Sequence, residues 1–516
     1  VFCCGFGEEL CENDFRTLNN IRFFTSDKVT IDKKYKDYVG YIFDNLQSIL
    51  QSKPQSSFLL QFVVPNQNEY GILSGLIGML RSAKQENPLL DIQLIMTDDT
   101  EKIEEYIEKE KDQRDDTCIC YSGTRRLVEQ WKEFSPKSEK DLWKANGVYL
   151  IFGGSGGLGN ILTKEILDKE GTCKVILIGR KPLNNAMRSK LRKLDRSGEN
   201  VAYFQTDVCE KDSVEKLVEH IINTYGKIDG IIQCAGIIKD NYILKKDPSE
   251  VEAVLTPKVT GTVIIDEATK NLNIDFFICF SSIAGALGNI GQSDYGAANG
   301  FLDGYMKYRN MLVNIGERKG KSISINWPLW ENGGMQIDKA TLEIMEGRTG
   351  LKTLPTDIGI KAFYNSVLSG EEQVMFMYSN KEFKKDDDNK ERGVDLSSNK
   401  YENVRADIGT LKEKMNVYLE ELMANTLKIP KDWIEPDATF EQYGIDSINV
   451  ILLTDELEKI FGTLSKTLFF EYQTIEELSD YFVSSFQEKI VEFFNLDFDM
   501  KGDEQEEKTH CDESLT

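Results

Sequence analysis

Histidine is nearly missing from this 516-residue chain, which holds only His220 and His510. Two imidazoles cannot build a His-based metal cluster. They also leave Gly153-Gly154-Ser155-Gly156-Gly157, which fits the GxSxG pattern of a hydrolase nucleophile elbow, without a base for its serine. Ten cysteines include Cys3-Cys4 and Cys118-x-Cys120 but no CxxC pair. Most of the others fall in apolar runs of strand type, where a thiol serves as a small hydrophobe. No metal site is expected. Basic charge is in deficit, with 62 Lys and Arg against 86 Asp and Glu and a net charge of −24, which argues against nucleic acid as a partner. No apolar run reaches the ~18 residues of a membrane span and the start has no signal-peptide pattern. A cytoplasmic protein without membrane contact is therefore expected, and its first residue, Val1, reads as the start of a piece cut from something larger.

What is present begins with glycine. Val148 to Phe152 (VYLIF) has strand length, and ILTKEILDKEG from Ile161 has helical spacing, so Gly153, Gly154, Ser155, Gly156, Gly157, Leu158 and Gly159 occupy a strand-to-helix turn. Without Cβ atoms the turn tightens and a pyrophosphate can approach the backbone, while the helix start offers free N–H groups and a positive dipole end. Ser155 then reads as part of a phosphate loop. The next strand, Lys174 to Gly179, ends in Arg180 and Lys181, where an NAD enzyme usually carries an acid for the ribose hydroxyls. Two cations there favour a 2′-phosphate and hence NADPH; the competing reading is a solvated pair at a strand end.

A second group lies downstream. FFICFSS (Phe276 to Ser282) is a buried-type strand ending in a hydroxyl, and thirteen residues later Tyr295 opens YGAAN, with Asn299 one helical turn on. A phenol titrates near pH 10 and is a poor acid at neutral pH unless a cation stabilises its anion; Lys258, in TPKVTG, is the candidate cation. Ser282 would hold a carbonyl while Tyr295 gives it a proton as hydride reaches the carbon. Taken singly, the Tyr reads as helix packing and the Ser as a cap. Together with the glycine turn, the four read as a catalytic set.

These residues resemble the ketoreductase domain of modular polyketide synthases, a branch of the short-chain dehydrogenases. The likeness runs through GGSGGLG, LIGRK, TDV, CAG, PKVTG, FSSIAG, GQSDYGAANGFLDGY and INWPLWENGGM in that order. It implies that Asp207, beside Val208, meets the adenine, that Cys234, Ala235 and Gly236 line the nicotinamide side, and that Lys258 and Asn299 hold the exchanged positions of polyketide ketoreductases. INWPLWENGGM (Ile325 to Met335) resembles the form found where the acyltransferase is a separate protein. Departures are Phe152 for the usual Thr, Gln233 for a His and Cys234 for an Ala. Leu287 stands where a Trp accompanies an L-alcohol, and Ile238-Lys239-Asp240 keeps only the final Asp of the opposite signature, so the expected lean is toward a D-configured β-hydroxyl.

Near the C-terminus, Ile448, Ile451, Leu452, Leu457 and Ile460 recur at helical spacing behind Asp446-Ser447. Ser after Asp at a helix start is ordinarily a cap. Here the segment and FFEYQTIEELSDYF resemble an acyl carrier protein, which implies 4′-phosphopantetheine on Ser447, placed there by a phosphopantetheinyl transferase. Residues 404–486 hold 7 Lys and Arg against 16 Asp and Glu, as befits a carrier met by basic partners, and the tail 487–516 holds 3 against 10 and reads as solvated.

The expected fold class is α/β: two Rossmann-like subdomains, a degenerate structural half (1–145) and a catalytic half (146–382), then a flexible linker (383–403), a small helical-bundle carrier (404–486) and the acidic tail (487–516). The first half offers strands at Phe58 to Val64 and Leu89 to Thr97 and helices around Tyr70 to Lys84 and Glu101 to Glu110. Its Gly5-x-Gly7 lacks a third glycine, so no cofactor is expected there. Glu331 to Gly350 reads either as a lid over the substrate or as an ordinary surface helix. The favoured function is NADPH reduction of an acyl-thioester intermediate within a polyketide synthase, alongside its other modules. A silent scaffold for the carrier is the alternative, and a free-standing fatty-acid-type reductase or sugar epimerase is disfavoured by the attached carrier.

Overall fold

Apolar runs of strand length alternate with helices through the first 379 residues. The computed structural model describes residues 1–7, 10, 15, 20–134, 141–335, 337, 339–379, 408–445 and 447–495. In the N-terminal half, β1 (Phe2–Cys4), β2 (Arg22–Phe24), β3 (Phe58–Val64), β4 (Leu90–Thr97), β5 (Cys118–Ser122) and β6 (Arg125–Val128) form one sheet in the order β2-β1-β3-β4-β5-β6. It is parallel except for β6, which turns back against β5. The helices are α1 (Ile31–Gln51), α2 (Ile77–Glu86) and α3 (Ile103–Glu110). The single helix expected over Tyr70 to Lys84 is instead a 3-10 segment, Asn68–Leu76, running into α2. The tighter winding contains Gly75, where another helix comes closest. Gly5, at φ +92°, is crowded by Pro65, Tyr38 and Tyr70.

The second sheet holds β7 (Val148–Phe152), β8 (Lys174–Gly179), β9 (Val201–Gln205), β10 (Gly230–Gln233), β11 (Phe276–Ser282), β12 (Lys321–Trp327) and β13 (Gln373–Met375), all parallel, in the order β13-β12-β11-β10-β7-β8-β9. The chain moves outward from β7 to β9 and then returns to the far side of β7 as β10. This reversal opens a crevice at the carboxyl ends of β7 and β10, where open α/β sheets bind ligands. Between the strands run α4 (Gly157–Lys169), α5 (Asn185–Leu194), α6 (Lys211–Tyr225), α7 (Pro248–Lys258), α8 (Thr260–Thr269), α9 (Ile283–Leu287), α10 (Ser293–Asn314), α11 (Lys339–Thr349) and α12 (Thr356–Leu368).

Helix α10 joins the two halves. Gly296, Gly300 and Gly304 recur every four residues and share one face. A Cβ on Gly300 would stand 2.1 Å from the Gly75 carbonyl oxygen, and one on Gly296 2.7 Å from that of Gly78. Backbone therefore meets backbone across this seam. Tyr35 of α1 adds a buried hydrogen bond of 2.8 Å to the Ala297 carbonyl, and one apolar core, from Phe2 through Phe62 to Phe301 and Met306, runs through both sheets. The other face of the second sheet packs a separate cluster including Trp143, Trp327, Trp330 and Phe363.

The chain divides into two compact units, residues 1–385 and 386–516; the expected linker lies outside the described residues. In the second unit, α13 (Ile408–Leu427), α14 (Ser447–Phe461), α15 (Leu468–Glu471), α16 (Ile475–Ser485) and α17 (Gln487–Phe493) enclose their own core. Two expectations need correction. The buried stripe of α14 is Val450, Leu453, Leu457 and Phe461, whereas Leu452 is 37% exposed, because a spacing of three to four counted from Val450 is what meets α13. The helical unit also does not stop at Phe486: Ile490 and Val491 of α17 are buried in the same core, so 487–495 is structure and not solvated tail. Among the described residues no helix is long and apolar enough to cross a membrane.

Candidate functional site

The glycine turn follows β7 directly. Gly153 adopts φ +77°, open to few residues but glycine, and a Cβ there would lie 2.6 Å from the Ala235 nitrogen. A Cβ on Gly159 would stand 2.5 Å from Gly154 Cα, so the turn can fold onto the first turn of α4 only with glycine at both places. The first of the helix's own hydrogen bonds here runs from Asn160 N–H to the Gly156 carbonyl at 3.1 Å. The amides of Gly157, Leu158 and Gly159 precede it at the positive end of the helix dipole. Gly333 and Gly334, in the segment after β12, lie against Gly157; a Cβ on Gly157 would be 2.4 Å from the Gly333 carbonyl carbon.

The neighbouring strand ends complete this edge. Ser155 Oγ lies beside Gly179 at the end of β8, and Arg180 and Lys181, which follow, are exposed. The Tyr203 hydroxyl ties that corner by donating to the Gly179 carbonyl at 3.0 Å and lying 2.5 Å from that of Lys181. After β9, the Asp207 carboxylate accepts the Cys209 amide at 3.0 Å, and Val208 is buried against Gly261. After β10, the Cys234 amide and thiol both donate to the Phe152 carbonyl, at 3.0 and 2.9 Å. Burial pushes the Cys234 thiol up to about 12, so it stands there as a packed thiol and not a nucleophile. Ala235 and Gly236 extend that turn over Lys258: a Cβ on Gly236 would sit 2.8 Å from Lys258 Cε. The residues expected to meet a dinucleotide thus follow the carboxyl ends of four neighbouring strands, β10, β7, β8 and β9, with the reversal of strand order between the first two.

The four candidate catalytic residues converge beside it. Tyr295 stands on the first turn of α10, largely buried. Burial pushes its phenol above the ordinary range, and the side chains of Asn299 and Ser282 pull it part of the way back. Lys258 ends α7 with its ammonium 2.9 Å from the Phe280 carbonyl and 5.7 Å from the centre of the Tyr295 ring. Burial lowers its pKa from 10.5 to about 8. Asn299 is fully buried and donates to the Tyr295 carbonyl at 2.7 Å, while its Oδ1 has no hydrogen-bond partner among the described residues. Ser282 is both cap and neighbour: its Oγ accepts the Ala284 amide at 3.3 Å to start α9, and it also faces Tyr295.

Sequence reasoning passed over several residues that build this site. Gln233 Nε2 donates to the Pro257 carbonyl at 3.0 Å, joining the turn after β10 to the helix that carries Lys258. Asp294, Lys246 and Glu86 form a buried polar layer at the foot of α10. Only Asp294 had a local signal, its place next to Tyr295; the other two are brought in from distant segments. The Glu331 to Gly350 stretch contains α11, and Asn332 Nδ2 donates to Thr356 Oγ1 at 3.1 Å. In the second unit Ser447 is the first residue of α14, after Gly444 at φ +67°; Asp446 lies outside the described residues.

Comparison with known proteins follows the same division. Residues 147–332 match the KR domain family and residues 417–482 the phosphopantetheine attachment site. Polyketide synthase PksL of Bacillus subtilis is 38% identical over 515 residues, covering 96% of this chain and 11% of that protein. Polyketide synthase PksN of the same organism is 34% identical over 507 residues, covering 96% and 9%. The chain thus spans about a tenth of the length of these curated relatives. Among solved structures, a ketoreductase domain from the bacillaene assembly line superposes with a TM-score of 0.68 at 34% identity, covering 73% of this chain and 91% of that one. An N-terminal ketoreductase from the macrolactin assembly line shares the fold, with a TM-score of 0.57 at 24% identity, covering 73% and 86%.

Proposed function

The chain belongs to the ketoreductases of polyketide synthases and has a phosphopantetheine attachment domain behind the reductase, and from that membership we propose that it reduces a carrier-borne β-ketoacyl thioester to the β-hydroxyacyl thioester with NADPH. The observation that supports this most directly is the meeting of Tyr295, Ser282, Lys258 and Asn299 beside a strand-to-helix glycine turn.

NADPH, when bound, supplies the hydride. The amides of Gly157 to Gly159 fit its pyrophosphate, Arg180 and Lys181 its 2′-phosphate, Asp207 with Val208 its adenine, and Cys234 to Gly236 its nicotinamide side. Glycine at 153, 154, 157 and 159 lets the turn pack against Ala235, Leu177, Gly333 and its own backbone, which sets the direction of those amides. On the substrate side, Ser282 orients the keto oxygen and the Tyr295 hydroxyl gives its proton to that oxygen as the carbon gains hydride. The Lys258 ammonium stabilises the phenolate left behind, and Asn299, which donates to the Tyr295 carbonyl and has a buried Oδ1 without a partner among the described residues, supports the proton supply. The product assigned is the D-configured alcohol, in line with Leu287 and Asp240. Ser447 would carry the acyl chain on 4′-phosphopantetheine after action of a phosphopantetheinyl transferase, with a separate acyltransferase and the neighbouring modules as partners in the cytoplasm.

The test is NADPH consumption with a 3-oxoacyl pantetheine thioester, with NADH run in parallel. Turnover with NADPH that falls by at least about 100-fold in Tyr295→Phe, while NADPH binding is retained, is the expected result. Binding without turnover in the unaltered chain would favour the scaffold reading.

A further inference from the structure

On the reading that this site reduces a keto group, we propose that Lys246 is a positioning residue that pins the segment 237–241 to the foot of the Tyr295 helix and thereby decides which face of the keto group is reduced.

The segment is one wall of the site. It leaves Gly236, which packs on Lys258, and runs to the start of α10, where Gln292 Nε2 donates to the Asp240 carboxylate at 2.9 Å and the Asn241 amide donates to the Gly291 carbonyl at 2.9 Å. The Asp240 carboxylate is near enough to act on the Tyr295 phenol, so a carbonyl held by Tyr295 and Ser282 lies on this side of the segment. Hydride and proton arrive from groups fixed by the strand ends and by α10. The remaining freedom is which of the two carbonyl substituents faces this wall, so the position of the wall selects the configuration.

Lys246 is what ties the wall down from inside. Its side chain is fully buried, and its ammonium donates to the Lys239 carbonyl, in the middle of the segment, at 2.8 Å and to Asp294 Oδ1 at 2.5 Å. The same Asp294 oxygen accepts the Tyr295 amide at 2.8 Å. One carboxylate oxygen therefore joins the wall's anchor to the backbone of the proton donor. The structural half supplies the floor: Glu86 accepts the Ile243 amide at 2.8 Å and the Gly291 amide at 3.0 Å, and Gln47 Nε2 donates to the Ile243 and Lys246 carbonyls at 2.7 and 3.0 Å.

Stability alone does not call for this arrangement. A buried ion pair gains little over apolar side chains of the same volume, since desolvating both charges offsets their attraction. Asp294 Oδ2 has no hydrogen-bond partner among the described residues, so the pair is not even fully satisfied. What an apolar residue at 246 could not do is hold the Lys239 carbonyl. Misplacing a reacting group by about 1 Å costs on the order of 100-fold in rate, so a tether of this kind has leverage on both rate and facial choice.

The experiment uses the full chain with NADPH and 3-oxohexanoyl pantetheine thioester, reading kcat/KM, the ratio of the two 3-hydroxy enantiomers by chiral chromatography, and Tm. Lys246→Met alone strands the Asp294 charge and is expected to lower Tm. K246M/D294N removes both charges and is expected to recover most of the Tm, yet to keep kcat/KM down by about tenfold or more and to shift the enantiomer ratio by a similar factor, because the Lys239 carbonyl stays untethered. A double variant with the wild-type ratio and rate overturns the proposal and leaves the pair a packing feature. Gln292→Ala loosens the same wall from its solvent side without touching a buried charge. Should the double variant not fold, an unchanged ratio in Gln292→Ala overturns the proposal, and a shift in the ratio supports it. A wild-type chain that makes no alcohol removes the reductase reading itself, whereas wild-type turnover with unaltered ratios in the variants removes only the role of Lys246.

Discussion

Lys258 is the residue whose chemistry depends most on where the fold puts it. Buried beneath Gly236 and the Tyr295 ring, its ammonium titrates at about 8 where a free lysine titrates at 10.5. A phenolate left on Tyr295 is stabilised only while Lys258 is protonated, so kcat/KM is expected to fall as pH rises through about 8. Lys258→Met should abolish that limb and lower the rate at neutral pH by roughly tenfold or more; a pH profile of the two proteins checks it. Linkage works in the same sense. A lysine whose folded pKa is depressed adds stability above its unfolded value near 10.5, and that contribution is lost as pH falls through about 8. Below pH 8 the Met variant should therefore melt higher than the wild type, and the difference should shrink toward pH 10.5. Lys258, Tyr295, Ser282 and Asn299 stand in motifs that single them out in the sequence, and the fold brings the four together. Lys246 and Glu86 were not, since a lysine in an ordinary polar stretch and a glutamate at the end of a helix look like solvated charges until the fold buries them.

At the scale of elements, α10 does two things with one sequence. Its first turns present Tyr295 and Asn299 to the crevice, and its glycine face lies on Gly75 and Gly78 of the structural half. Gly300→Ala would force two backbones apart, because the atoms it meets are the Gly75 carbonyl and not a side chain that could swing away. Overpacking of this kind costs about 1–3 kcal/mol, and the rigid neighbour places Gly300→Ala at the upper end. Thermal melting should show a clear loss of Tm with activity lost at the same temperature, since both halves share one core. The four-residue glycine spacing is visible in GQSDYGAANGFLDGY, but its partner glycines are more than two hundred residues earlier. For the same reason the helix expected at Tyr70 to Lys84 is wound as a 3-10 segment up to Leu76. In α14 the apolar spacing located the helix, but Leu452, one of the residues counted in it, is exposed, because several apolar residues in a row leave the buried stripe to be chosen by what packs against it.

At the scale of the whole molecule, two units with separate cores stand on one chain, and the second contains the phosphopantetheine attachment domain. Treatment with a phosphopantetheinyl transferase and coenzyme A should add one arm to the intact mass of the full chain and none to that of Ser447→Ala. An arm on the variant would move the attachment site elsewhere.

The sequence by itself determined what depends on neighbours within a turn or two. It settled the strand-to-helix glycine turn, the shared face of Tyr295 and Asn299, the alternation of strands with helices and the helix start at Ser447. These follow from backbone periodicity and from the residues a given φ admits. Only the tertiary structure decided what meets across long separations. It set the strand order that puts the candidate cofactor residues at the carboxyl ends of β7 to β10, Lys258 beneath Tyr295, Glu86 across two loops of the other half, and Lys246 between Lys239 and Asp294. Those placements are set by sheet order and by how closely backbones approach, which no spacing within one segment encodes.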